Sequence, residues 1–290
     1  MTAGFMCSMG IFDMSHFLLN LSRLCGGCTS RRWLAGAALP LALMLSLAWP
    51  AQAQTAAPAA APRPALVAAA ANLQQVLAEL VPLFERTQQG RLSLNIGSSA
   101  NLVRQIQQGL PAELFLSADE DFALRLADAG LSLDRGVVYA TGRIVLLVPA
   151  ASALELDPQF KGLKAGLPQL RKFAIANPEL APYGKAAVQA LQKLALWPAL
   201  QGKIVLGDNI AQTTQYVSTG AADAGITALS LVLAPEAAAR VRYVLIPDDL
   251  HAPLRQRMVL LKNAGPTARA FYDFLQSPAA KAVLSRYGYL

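Results

Sequence analysis

After Pro64 the chain alternates short apolar runs with longer stretches in which apolar residues recur every three or four positions. A short apolar run bounded by turn residues reads as a strand, and the longer recurrence reads as a helix with one buried face. Residues 65–70 are a buried strand by this reading, and 73–86 a helix with Leu73, Val76, Leu77, Leu80, Leu83 and Phe84 on one face. Strand 92–96 and helix 100–108 follow, then strand 114–117 and helix 121–129, which Gly130 ends. A second series begins with strand 144–148 and continues as strand 173–176 with helix 184–194, strand 204–206 with helix 210–219, and strand 224–227 with a short helix at 229–232. Strands at 241–246 and 257–261 come next. Two helices, 266–276 and 279–286, split at Ser277-Pro278, close the pattern. Alternation of this kind argues for α/β architecture, each sheet mainly parallel and flanked by helices.

Two consecutive series predict two lobes, 65–142 plus 247–290 for the first and 143–246 for the second, with crossings near Gly142 and Pro247. Residues 54–64 are an Ala/Pro tract with little to bury, expected as an extended lead-in. Ahead of it, Arg31 and Arg32 precede an uncharged stretch at 33–49, and Ala51-Gln52-Ala53 has the small residues of a signal-peptidase site. The apolar run is short for a spanning helix and has no basic stop-transfer flank. Residues 1–53 are therefore expected to be a cleaved signal peptide, and the rest an exported, periplasmic chain.

Setting that segment aside removes several chemistries. Cys7, Cys25 and Cys28 all lie within it, so residues 54–290 can form no disulfide, thiolate nucleophile or cysteine metal site. The one histidine after it, His251, stands two residues before Pro253 and is expected in an exposed loop. The formal charge of +7 is mild and scattered, whereas nucleic-acid binding concentrates basic residues in a stripe. No nucleic-acid partner is expected, and a weak positive field would help to gather small anions.

The informative positions are uncharged ones where a strand gives way to a helix. Asn72 follows the first strand, with Gln75 at capping-box spacing; Ser98-Ser99 follow Gly97; Pro182-Tyr183-Gly184 and Asn209-Ile210 open helices of the second series. Any one of these is an ordinary helix start. In an open α/β sheet, however, the carboxyl ends of strands face the crevice where ligands bind. Each helix start offers free N–H groups and roughly half a positive charge, so four converging ends supply roughly two, enough for a dianion without Lys or Arg.

The residues carry a family resemblance. Leu66-Val67-Ala68-Ala69-Ala70-Ala71-Asn72-Leu73, the run Gly97 to Ile106, and Gly109-Leu110-Pro111-Ala112-Glu113-Leu114-Phe115-Leu116-Ser117-Ala118-Asp119 resemble three successive motifs of periplasmic molybdate-binding proteins of ABC transporters. Asn177-Pro178 through Tyr183-Gly184, and Phe271-Tyr272-Asp273-Phe274-Leu275 through Tyr289, fit the same pattern, so the likeness spans 65–290. It implies a type II, Venus-flytrap binding protein and a monomer without cofactor. The implied ligand is molybdate or tungstate, bound as the oxyanion with no direct ligand to the metal, and the implied partner is a membrane permease. Carried over residue by residue, it implies that Asn72, Ser99, Tyr183 and Ile210 bind the ligand, Asn72 through amide or backbone, Ser99 through hydroxyl and N–H, Tyr183 through its phenol and Ile210 through its N–H. Many members have Ser at the place of Asn72 and Ala at that of Tyr183, and a Tyr where this chain has Ala228; the changes compensate if Tyr183 supplies the phenol.

A fully deprotonated tetrahedral dianion is all acceptor, so its site needs donors and no carboxylate. The nearest acids to the candidate ends in sequence, Glu179 and Asp208, do not fall on ligand positions of the family, which favours molybdate, tungstate or sulfate over phosphate. The rival readings are a binding protein for another oxyanion or small organic acid, and an exported hydrolase. The hydrolase is disfavoured because Ser99 has no neighbouring base and no Asp/Glu pair stands out, so an enzyme is not expected.

Overall fold

The computed structural model describes residues 63–88 and 90–290; the expected signal peptide and most of the lead-in lie outside the described residues. The first half runs β1 (Ala65–Ala70), a 3-10 turn (Ala71–Leu73), α1 (Gln74–Thr87), β2 (Leu92–Gly97), α2 (Ser99–Gln107), β3 (Leu114–Leu116), α3 (Glu120–Asp128) and β4 (Val137–Gly142). The second runs β5 (Ile144–Pro149), α4 (Lys161–Gly166), β6 (Phe173–Ala176), α5 (Pro182–Lys193), α6 (Trp197–Leu200), β7 (Ile204–Gly207), α7 (Ile210–Ser218), β8 (Ala224–Ala228), α8 (Leu229–Val232), α9 (Pro235–Ala238) and β9 (Val241–Leu245). The chain then returns through β10 (Leu254–Leu260) to α10 (Pro266–Leu275) and α11 (Pro278–Arg286).

The strands form two five-stranded sheets, ordered β2-β1-β3-β10-β4 and β7-β6-β8-β5-β9. Within each sheet two pairings are parallel and two antiparallel, because one strand runs against the others: β10 in the first sheet and β5 in the second. The reversed strand is the first one after the chain has crossed between sheets. β4, which the hydrophobic pattern does not separate from β5, is an edge strand paired with β10.

Each sheet is covered on both faces, which is why its central strands read as unbroken apolar runs. Along β1, Val67 and Ala69 face α1, α10 and α11, while Ala68 faces the layer of α2 and α3 with Phe115 and Val259. Val76, Leu77, Leu80 and Phe84 are the buried stripe of α1; Phe84 meets Phe271 of α10 edge-on at 5.0 Å. Truncating such a buried Phe to Ala costs about 3–5 kcal/mol. Pro82 sits inside α1 on its exposed side, where the carbonyl it leaves without a partner can take up water. In the second sheet Ile144, Leu146 and Val148 face α5, and Val145 and Leu147 face Val217 of α7.

Candidate ligand site between the lobes

Parallel pairing places the candidate residues in rows. Ala70 of β1 lies opposite Gly97 of β2, so the chain leaves both strands side by side, with Asn72 and Ser99 each two residues past that pair. In the second sheet Ala176 lies opposite Gly207, and α5 and α7 start shortly beyond. α5 packs so closely on β6 that a methyl at Gly184 would strike the carbonyl of Ala176. The two rows meet: Ala70, Ala71 and Ala118 of the first half share one buried cluster with Ala181, Tyr183, Ile210 and Ala228 of the second. The amide of Ala100 donates to Leu180 O across the junction at 3.1 Å. The lobes are closed on each other here, and Asn72, Ser99, Tyr183 and Ile210 are all buried.

The polar contacts at this junction form one network. Asn72 Nδ2 donates to Gln256 Oε1 (3.0 Å) and to the Tyr289 hydroxyl (2.8 Å). Gln256 Nε2 donates to the Tyr183 hydroxyl (2.9 Å), and the Tyr139 hydroxyl donates to Gln256 Oε1 (2.9 Å). The carbonyl of Asn72 accepts from Ser230 Oγ and from the Tyr289 hydroxyl, both at 2.9 Å. Ser99 Oγ accepts from Ala118 N at 3.1 Å, which leaves its own hydrogen free to donate. Burial holds the phenols of Tyr139 and Tyr183 well above the usual range and pushes Tyr289 up to about 12. All three therefore keep their protons near neutrality. Ser99 and Ile210 are the first residues of α2 and α7, and their backbone N–H groups have no acceptor within those helices.

Only four buried side-chain polar atoms among the described residues lack a partner, and Asn72 Oδ1 and Ser98 Oγ are two of them, at adjacent strand ends. A cavity of about 650 Å³ is walled by Ala71, Gln74, Asn209, Ala211 and Gln212; neither Ser98 nor any of the four candidate residues lines it.

Several expectations need correction. Asn72 does not cap a helix: it lies in the 3-10 turn, and its amide is drawn into the junction network instead. Ser98 is the residue before α2 but makes no side-chain cap. Asn209 does cap, accepting from Gln212 N at 3.0 Å, while Gln212 Oε1 takes the amide of Asp208 rather than that of Asn209. His251 is buried rather than exposed, with Nδ1 against Ala252 O at 2.8 Å. Glu179 and Asp208 are exposed; the more enclosed acid near the strand ends is Asp119, which accepts from Phe122 N and Ser117 Oγ at the start of α3. Gln256, Tyr139 and Ser230, and Tyr289 beyond its place in a motif, are not among the candidates that the sequence offers for the site. For Gln256 there was a signal: alternation along β10 puts it on the buried face with Leu254 and Met258, while Arg255 is exposed.

Two α/β lobes of matching strand order, crossed twice by the chain and closed over buried donors at opposed helix starts, define a two-lobed solute-binding protein. Among the described residues no group of three or more His, Cys, Asp or Glu gathers as a cation site, and no helix is long and apolar enough to cross a membrane. The chain belongs to the bacterial extracellular solute-binding proteins, whose family model matches residues 65–290. It is 34% identical over 260 residues to the molybdate-binding protein ModA of Rhodobacter capsulatus, covering 89% of this chain and 96% of that one. Identity to ModA of Azotobacter vinelandii is 36% over 226 residues, 77% of this chain and 88% of the relative. The solved periplasmic molybdate-binding protein of Azotobacter vinelandii superposes with a TM-score of 0.71 at 32% identity, covering 78% of this chain and 98% of that one.

Proposed function

We propose that this protein captures molybdate, and tungstate by the same contacts, in the periplasm and hands it as a monomer to the membrane permease of an ABC importer. The relatives named for molybdate binding support the ligand, and the fold supports capture between two lobes. The observation that carries the chemistry is a buried set of donors at the junction with no acid among them. Ser98 Oγ has no partner, Ser99 Oγ and Tyr183 each retain a hydrogen, and the amides of Ser99 and Ile210 open their helices toward the same cluster. Such a set fits a ligand made only of acceptors, and the helix starts add positive potential without a formal charge. In this reading Asn72 and Ser99 on the first lobe, and Tyr183 and Ile210 on the second, hold the oxyanion, and closure excludes water. Binding and release, with no bond made or broken, is the whole task.

Thermal unfolding of the purified protein, stripped of anions, with molybdate, tungstate, sulfate and phosphate at equal ionic strength is the test. A ligand at a hundredfold excess over its dissociation constant stabilises by about 2.7 kcal/mol. Molybdate and tungstate are expected to raise the midpoint by a few degrees, with sulfate and phosphate well behind. A midpoint indifferent to all four would remove the oxyanion reading and leave the fold.

A further inference from the structure

We infer that Gln256 is the positioning residue that sets Asn72 and Tyr183 together, so that the ligand-facing side chains of the two lobes are not independent. The inference rests on the functional reading above, in which those two side chains meet the anion.

Gln256 is fully buried on β10, and its side chain touches Asn72, Tyr139 and Tyr183 at 2.9 to 3.0 Å. One end of its amide only donates and the other only accepts. With Nε2 toward Tyr183, as here, the phenol oxygen receives a hydrogen and keeps its own free, while Asn72 must donate to Oε1 and is left with Oδ1 unpartnered. If the Gln256 amide turns over, Asn72 must turn with it, because two NH2 groups cannot face each other. Asn72 Nδ2 then becomes the free donor, and the Tyr183 hydrogen is taken by Gln256. The first lobe gains a donor as the second gives one up.

Two features of the backbone are built around this contact. Gln256 pairs with Ala140 and Arg257 with Val138, so Tyr139 is the extra residue of a β-bulge, and its hydroxyl is what fills the second position on Gln256 Oε1. Bulges of this kind re-aim side chains. Gly142 supplies the space: a Cβ there would lie 2.6 Å from Gln256 Nε2 and would overlap the Tyr183 hydroxyl.

The test is molybdate calorimetry on the purified protein, wild type against Gln256→Met, Tyr183→Phe and the double variant. Gln256→Met keeps the length and removes both hydrogen-bonding ends, and it should weaken binding by roughly tenfold or more. In the Tyr183→Phe background the same change should cost much less, since coupled residues are not additive. A Gln256 that only props up the fold would give losses that multiply, and that result overturns the inference. Gln256→Glu guards against misfolding of the Met variant. At a pH high enough to ionise it, which an alkaline titration of binding checks, its carboxylate accepts at both ends and takes the free Tyr183 hydrogen. It should fold, checked by its thermal transition, and bind at least tenfold more weakly at the pH where it is ionised than at a pH where it is protonated and, like Gln, has one donating end; affinity unchanged across that pH range, relative to the wild type, overturns the inference. If the wild type takes up no molybdate, the functional reading falls and this inference with it. If the wild type binds and the variants match it, only the inference falls.

Discussion

The two sheets have the same strand order and the same single reversed strand, yet their strand ends are finished differently. In the second lobe several strand-end side chains are satisfied locally: Asn209 caps α7, Asn177 Oδ1 accepts from Glu179 N, and the hydroxyls of Thr214 and Thr227 share a hydrogen, while Tyr183 and Ser230 bond across the junction and Arg143 Nε, just before β5, has no partner. In the first lobe Asn72 reaches away from its own helix to Gln256 and Tyr289, and Asn72 Oδ1 and Ser98 Oγ are left without partners. A buried polar group without a partner costs about 1–3 kcal/mol. The same topology thus yields one half with several strand-end side chains capped locally and one half in which Asn72 reaches across the junction and two polar atoms stay without partners. The difference teaches that strand order positions a site, and that the side chains just past the strands decide what each half presents to it.

Four substitutions probe this asymmetry. The largest effect is expected from Gly142→Ala. The added methyl overlaps the Tyr183 hydroxyl, and the ring cannot yield easily because Tyr183 is buried. Overpacking of this kind costs about 1–3 kcal/mol, and here it falls on the contact between lobes. Molybdate affinity should drop at least tenfold, by calorimetry, together with a lower unfolding midpoint without ligand. Wild-type affinity would mean that Tyr183 does not have to stay where it is.

Next comes a pair that sets one lobe against the other. Asn209→Ala removes a working cap and should cost the ligand-free protein about 1 kcal/mol. Ser98→Ala removes a hydroxyl that bonds to nothing, so it should leave ligand-free stability nearly unchanged, or raise it, while weakening the anion. Denaturant melts of both variants decide it: equal destabilisation would erase the distinction between the lobes.

The smallest effect concerns a partly exposed ion pair of the first lobe. Glu120 pairs with Arg257 at 2.6 Å and Arg255 at 2.7 Å, and chiefly the bond from Arg257 holds its carboxyl below the usual range. A lowered folded-state pKa gives stability that is complete above the unfolded value and is lost as pH falls through the folded one. Glu120→Gln should therefore lower stability at neutral pH by no more than about 1 kcal/mol, since Arg255 is exposed, and the deficit should vanish in acid. A deficit that persists in acid would assign Glu120 a packing role instead of an ionic one.

Much of this architecture could be read from the chain. β1, β2 and β3 with their helices stand out because a strand buried on both faces is a plain apolar run and the helices bury one stripe each. Strand direction does not stand out: nothing in the pattern of β5 or β10 says that each runs against its sheet. β4 merges into its surroundings because Val137 to Gly142 is followed after a single residue by β5. Asn72, Ser99, Tyr183 and Ile210 were legible as residues at strand ends, and the structure buries all four at one junction. Their supports were not. Tyr289 is an ordinary aromatic until the fold carries it to Asn72, and for Gln256 alternation along β10 gives only the buried face, not its partners.

Asn72 and Tyr289 are 217 positions apart and share two hydrogen bonds. A ribosome makes the first of them early and the second only after the whole of both sheets. While the chain is growing, Asn72 has neither Gln256 nor Tyr289 to hold it, and β1 lacks the strand that links β3 to β4. Closing a loop this long costs chain entropy before the contact can repay it. A molecule interrupted before residue 289 would therefore hold its anion poorly even with both lobes largely made, so the ability to bind is itself a check that synthesis has run through Tyr289.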